Sequence, residues 1–169
     1  WTIGRTGKTL QENERYSRDE GGPVILVPVH RRESFGEPLR QICSAITGLA
    51  LDHPGWLFVW PVHPNPAVKE AVAVQLAGID NVRLFGPVPY PEFVWLMRRA
   101  SLVVTDSGGI QEEMPTIGGF AIVVREETER QAAVECGSCQ LVGTSEKAII
   151  EAVEAHMADL KLLEPKSNP

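Results

Sequence analysis

LVVTDSGGIQEE, residues 102–113, decides how this chain folds. Leu102, Val103 and Val104 are apolar and β-prone, suited to a buried parallel strand. The run breaks at Asp106-Ser-Gly-Gly109, where Gly108 and Gly109 allow a sharp turn and a close approach of backbone to ligand. The residues after the break read as a helix carrying Glu112 and Glu113 in its first turns. Its unpaired N–H groups and positive dipole end attract a phosphate. The Ser107 hydroxyl can bond a phosphate oxygen, and the acid pair a sugar diol. Two readings stand side by side: a nucleotide-sugar site, or a loop whose glycines serve geometry alone.

Strands and helices alternate outward from this stretch. Apolar runs at 24–27, 56–62, 82–85, 102–105, 121–124 and 140–142 predict six strands. Between and after them, 36–51, 66–76, 90–99, 109–117, 129–135 and 145–160 predict helices. Leu39, Ile42, Ala45, Ile46 and Leu49 form one helical stripe, Pro66 sits in a first turn, and Ser145 is placed to cap the last helix. This rhythm means parallel βαβ units: an α/β, Rossmann-like parallel sheet of about six strands flanked by helices. Residues 1–22 read as a linker or hinge arm, 23–160 as the domain and 161–169 as a flexible tail.

Ligands of such sheets sit beyond the carboxyl ends of the strands. The loops expected there contain His30-Arg-Arg-Glu33, His63, Ser107-Gly-Gly109 and residues 125–130. Guanidinium forks and an imidazole suit a pyrophosphate, with Glu33 able to hold one Arg in place. The same residues also read as a solvated ionic cluster, His63 as a structural histidine, and 125–130 as a charged surface turn.

The composition, 43% hydrophobic and 22% charged over 169 residues, is that of one globular domain with a proper core. A net charge of −6 argues against a nucleic-acid surface. No apolar run approaches a membrane span, and no segment has the layout of a signal peptide. Cys43, Cys136 and Cys139 are an odd set, poor material for a disulfide framework, which makes the cytoplasm the default location. Cys136 and Cys139 have CxxC spacing but no second ligand pair, so no metal is expected; they read as two small half-buried residues near a turn. A chain opening on Trp1 rather than Met reads as a piece of something longer.

HRRESFGEPL (30–39), WPVHPNPAVKE (60–70), VPYPEFVWLM (88–97), TDSGGIQEE (105–113) and TERQAAVECG (128–137), in this order, resemble the second half of the non-hydrolysing UDP-N-acetylglucosamine 2-epimerases. The resemblance runs from about Pro23 to His156, and Arg5-Thr-Gly-Lys-Thr9 is similar to the point where that family's chain enters its second domain. The resemblance implies one half of a GT-B-type two-domain fold, with UDP held in the cleft between domains. It implies interconversion of UDP-GlcNAc and UDP-ManNAc: UDP leaves to give 2-acetamidoglucal, then adds back after protonation on the other face. No cofactor is implied.

Matched to this sequence, Ser107, Gly108 and Gly109 would hold phosphate, Glu113 the ribose, and Tyr90 and Phe93 the uracil. His30 would be the catalytic residue beside the pyrophosphate. Arg31 and His63 match residues that bind a second, activating UDP-GlcNAc in some members. The carboxylates that deprotonate C2 belong to the family's first domain, so the resemblance implies dependence on an N-terminal domain or a separate chain carrying it. The chain departs from the family's pattern at Val29, Met114, Gly119-Phe120 and Gln131-Ala132. Two other readings stay open: a non-catalytic nucleotide-sugar sensor, and the donor half of a GT-B glycosyltransferase. Trp1 and Ile3 leave room for a homodimer.

Overall fold

Six short apolar runs pair into one parallel sheet in a computed structural model that describes residues 21–163. The strands are β1 (Val24–Leu26), β2 (Leu57–Pro61), β3 (Val82–Phe85), β4 (Leu102–Thr105), β5 (Ala121–Val123) and β6 (Cys139–Leu141). Their order is β3-β2-β1-β4-β5-β6, that of a Rossmann-like fold; the alternating pattern predicts the parallel sheet, not this order. Register is set by pairs such as Ile25 with Phe58 and with Leu102. Most of the expected 1–22 arm, including Trp1, Ile3 and residues 5–9, lies outside the described residues, as do 164–169.

The helices are α1 (Glu37–Asp52), α2 (Pro66–Leu76), α3 (Tyr90–Arg99), α4 (Gly108–Ile117), α5 (Gln131–Glu135) and α6 (Glu146–Leu163). Pro66 and Ser145 take the places expected of them, and Asn65 adds a cap not read from the sequence. Asn65 accepts the Ala67 amide at 2.9 Å ahead of Pro66, and the Ser145 hydroxyl accepts the Ala148 amide at 3.2 Å. Two boundaries differ by more than one residue. The helix expected from 129 starts at Gln131, because Thr128 accepts the Arg130 amide and its carbonyl accepts from the Gln131 side chain, holding that segment as a turn. The last helix runs to Leu163, so residues 161–163 are not tail.

The parallel sheet is buried on both faces, which is why its strands are apolar throughout rather than alternating. Ile25, Phe58, Trp60, Val104 and Ile122 pack beneath α1, α2 and α6, while Leu26, Val59, Val103 and Val123 pack beneath α3, α4 and α5. No helix among the described residues is long and apolar enough to cross a membrane. The cysteines divide: Cys43 and Cys139 are buried, and burial pushes their thiols up to about 12 and about 11, while Cys136 is exposed.

Three of the four departures from the family pattern find their reasons in this packing. Val29 points into the core under α1. Met114 is buried on the inner face of α4, and a Cβ at Gly119 would lie 3.2 Å from its sulfur, so the large residue at 114 and the absent side chain at 119 accommodate each other. Phe120 stacks on the His156 ring of α6, centroids 4.2 Å apart and planes within 10°.

That stacking has a pH consequence. Burial pulls the His156 imidazole below its usual range, against weaker opposing pulls from Asp159 and the Ser101 backbone, and its Nε2 has no hydrogen-bond partner. With the folded value below the unfolded one, the unfolded chain binds the extra proton. Stability is therefore fully present above about pH 6.5 and declines as pH falls through that value toward the folded one. Urea melts between pH 7.5 and 5 are expected to show this decline, with a shallower slope in His156→Phe; identical slopes would remove His156 as its source.

Candidate functional site

The strand order reverses between β1 and β4, so the loops that leave these two strands part to opposite faces and open a crevice. Asp106, immediately after β4, stitches its floor. Its buried carboxylate accepts the His30 amide at 3.1 and 3.2 Å, the Arg31 amide at 2.8 Å and the Ser34 hydroxyl at 2.6 Å. One residue earlier, the Thr105 hydroxyl donates to the Pro28 carbonyl at 2.9 Å and accepts the Ser107 amide at 3.1 Å.

Over this floor lies a cleft of about 340 Å³ lined by His30, His63, Tyr90, Phe93, Ser107, Gly109 and Glu113, with Pro28, Pro61, Val88 and Ile110 among its apolar walls. Four loops thus bring together nearly all the residues singled out from sequence. A second hollow, of about 500 Å³ between the starts of α1 and α6, is more open; its lining includes Gln41, Lys147, Glu146 and Glu151 but no imidazole or aromatic side chain.

Ser107 is the N-cap of α4, and its side chain makes no capping bond, which leaves the hydroxyl and the helix-start amides available to a ligand. Neither Gly108 nor Gly109 has a positive φ, so the sharp turn expected of them is not their role. A Cβ at Gly109 would meet only Ser107 Oγ at 3.8 Å, and one at Gly108 would face Arg130 at 3.7 Å. Packing tolerates side chains at both positions. Contacts within the chain therefore give no reason for glycine at 109.

The acid pair separates by helix phase. Glu112 turns to Arg130, Nε to Oε1 at 2.7 Å, while Glu113 lines the cleft and accepts the Tyr90 hydroxyl at 3.1 Å. That bond and the Glu113 charge raise the phenol above its ordinary range. Tyr90 is 63% exposed, so its edge is free for a planar ligand. Phe93, half-buried, backs it from the next turn of α3.

Arg31 and His63 part company. His63 lines the cleft, its Nδ1 accepting the Asn65 amide at 3.2 Å. Arg31 is bound outside the cleft to Glu33 at 3.3 Å and Glu129 at 3.6 Å, and Glu129 in turn meets Arg125 at 3.1 Å. Burial opposes the Arg31 charge, but the bonds and charges of Glu33 and Glu129 prevail and raise its guanidinium above the ordinary value. Backbone hydrogen bonding first, then Arg31, holds Glu33 below the usual carboxylate range. Residues 125–130 are therefore more than a surface turn: they tie the loop after β5 to the loop after β1.

Sequence reasoning passed over Asp106 and Gln111. Gln111 is fully buried; it accepts the Thr128 hydroxyl at 2.7 Å and donates to the Ser107 carbonyl at 3.2 Å, bracing the start of α4 from the β5 side. A polar residue on the same stripe as Ile110 and Met114 was the available signal, since unpaired amides are rarely buried.

The profile of the UDP-N-acetylglucosamine 2-epimerase family matches residues 3–169. A probable UDP-N-acetylglucosamine 2-epimerase of Ralstonia solanacearum is 48% identical over 136 residues, covering 80% of this chain and 36% of its own. The crystal structure of the Neisseria meningitidis UDP-GlcNAc 2-epimerase bound to UDP-GlcNAc is 37% identical with a TM-score of 0.85, covering 91% of this chain and 41% of that one. An S. aureus protein, MnaA, solved with UDP, is 30% identical with a TM-score of 0.81, covering 88% and 42%. The chain thus spans little more than a third of the length of the curated relative.

Proposed function

This chain belongs to the UDP-N-acetylglucosamine 2-epimerase family, and from that premise we propose that it is the UDP-binding C-terminal half of an enzyme interconverting UDP-GlcNAc and UDP-ManNAc. One observation carries the reading: a single cleft holds an amide-lined helix start, an imidazole, an acid and an exposed aromatic edge, in an order that suits a uridine diphosphate. The diphosphate sits on Ser107, Gly108 and Gly109, where the helix dipole and free N–H groups favour negative charge. Glu113 exchanges its bond to Tyr90 for the ribose hydroxyls, and uracil packs on Tyr90 and Phe93. His30, at the other lip, stabilises the charge that grows on UDP as the bond to the sugar breaks.

Epimerisation also needs a base at C2, and Glu113 is the one carboxylate lining this cleft among the described residues. It is committed to the ribose. The base comes from the N-terminal domain of the family, so the chain alone binds UDP weakly and does not epimerise. His63, inside the cleft, and Arg31, which must first leave Glu33 and Glu129, contribute to a second UDP-GlcNAc where one binds. Three free thiols suit the cytoplasm.

Calorimetry with UDP tests the site. Binding is expected in the wild type and weakened at least about tenfold in Glu113→Ala, the loss of a charge-assisted contact to two hydroxyls. Unchanged affinity in that variant would discard the ribose assignment. UDP-ManNAc formation is expected only after a matching N-terminal half is supplied; UDP binding without activity in that mixture would favour the sensor.

A further inference from the structure

Asp106 never meets solvent: it is 0% exposed, and every bond it makes goes to one short loop, residues 30–34. A carboxylate offers only acceptor sites, and here both oxygens are taken by donors: two main-chain amides and one hydroxyl. Charge-assisted bonds of this kind are roughly twice as strong as neutral ones. The His30 ring nitrogen Nδ1 stands 3.8 Å from Oδ1, beyond hydrogen-bonding reach, so the hold is on the main chain. Asp106 is also the residue before Ser107, and so it links the imidazole-bearing loop to the first turn of α4.

We propose that Asp106 is a positioning residue that sets the spacing between the His30 imidazole and the helix-start amides, and so tunes the site for a diphosphate rather than for a nucleoside. The inference rests on the nucleotide reading above. The nucleoside end is held by Tyr90, Phe93 and Glu113, on α3 and α4, and none of these bonds Asp106. An anion buried this close to a phosphate site costs free energy unless its charge is used, and the three donors use it. In Asp106→Asn the charge is lost and one oxygen becomes an NH2 group; even placed at the Oδ1 position it faces the His30 amide instead of accepting from it, and the loop's hold weakens.

Affinities for uridine and UDP, measured by ligand-observed NMR on wild type, Asp106→Asn and Ser34→Ala, test this. Asp106→Asn is expected to weaken UDP at least about tenfold while uridine stays within about twofold, in keeping with the worth of a hydrogen bond to a charged group. Ser34→Ala, which removes one donor and leaves the charge, shifts the same ratio by a smaller factor and carries the test if the Asn variant does not fold. In a His30→Ala background Asp106→Asn is expected to have little further effect on UDP, because the two act through one geometry. An unchanged UDP-to-uridine ratio in the variants, or equal losses with and without His30, would overturn the positioning role and leave the nucleotide site standing. A wild-type chain that binds neither ligand would instead overturn the site itself, and the inference with it.

Discussion

Gly109→Val is expected to raise the dissociation constant for UDP about a hundredfold, roughly 2.7 kcal/mol, and to leave the melting temperature within about 2 °C of wild type. The two halves of this expectation have separate causes. Gly109 lies in the first turn of α4 with an ordinary negative φ, and its only neighbour at Cβ distance is Ser107 Oγ at 3.8 Å. Helix propensity favours almost any residue over glycine, so the fold loses nothing. The cleft, by contrast, is lined by this residue, and three added carbons would stand where a phosphate must come within about 3 Å of the amides. Gly108→Ala makes the control: its Cβ would point at Arg130, away from the cleft, and a much smaller loss is expected. UDP affinity unchanged by valine at 109 would place the phosphate elsewhere.

Phe58→Ala is expected to be among the costliest changes to stability, about 3–5 kcal/mol by the transfer and cavity terms of a fully buried aromatic ring. Phe58 has 0% exposure in the middle of β2, paired to Ile25 on one side and Val82 on the other, beneath α1 and α2. A domain of this size commonly has about 5–15 kcal/mol in total. The variant is therefore expected to melt roughly 6–20 °C lower. Its UDP affinity, measured well below the melt, is expected to stay near wild type because the ring does not line the cleft. A shift under about 1 kcal/mol in denaturant would mean the helices close over the cavity with little loss.

Local features of the sequence determined the elements. Fully apolar strands, a helical stripe from Leu39 to Leu49, Asn65 before Pro66, and Ser145 before the last helix each act within a few residues, so their physics is written in short spacing. The glycine-rich start of α4 and its acid pair were legible for the same reason, as was the gathering of polar loops at the strand ends.

Tertiary structure alone decided which of these groups face one another. Asp106 finds its partners 72 to 76 positions earlier in the chain, across a strand order that no local period encodes. Glu112 and Glu113 are adjacent in sequence, yet the turn of α4 about its axis sends one to Arg130 and the other into the cleft. Arg31 and His63, paired by resemblance, are separated because Glu33 and Glu129 hold the guanidinium aside. Met114 with Gly119, and Phe120 with His156, make sense only as contacts. Secondary structure arises from neighbours along the chain, whereas direction, burial and pairing of side chains arise from neighbours in space, and these exist only once the sheet has closed.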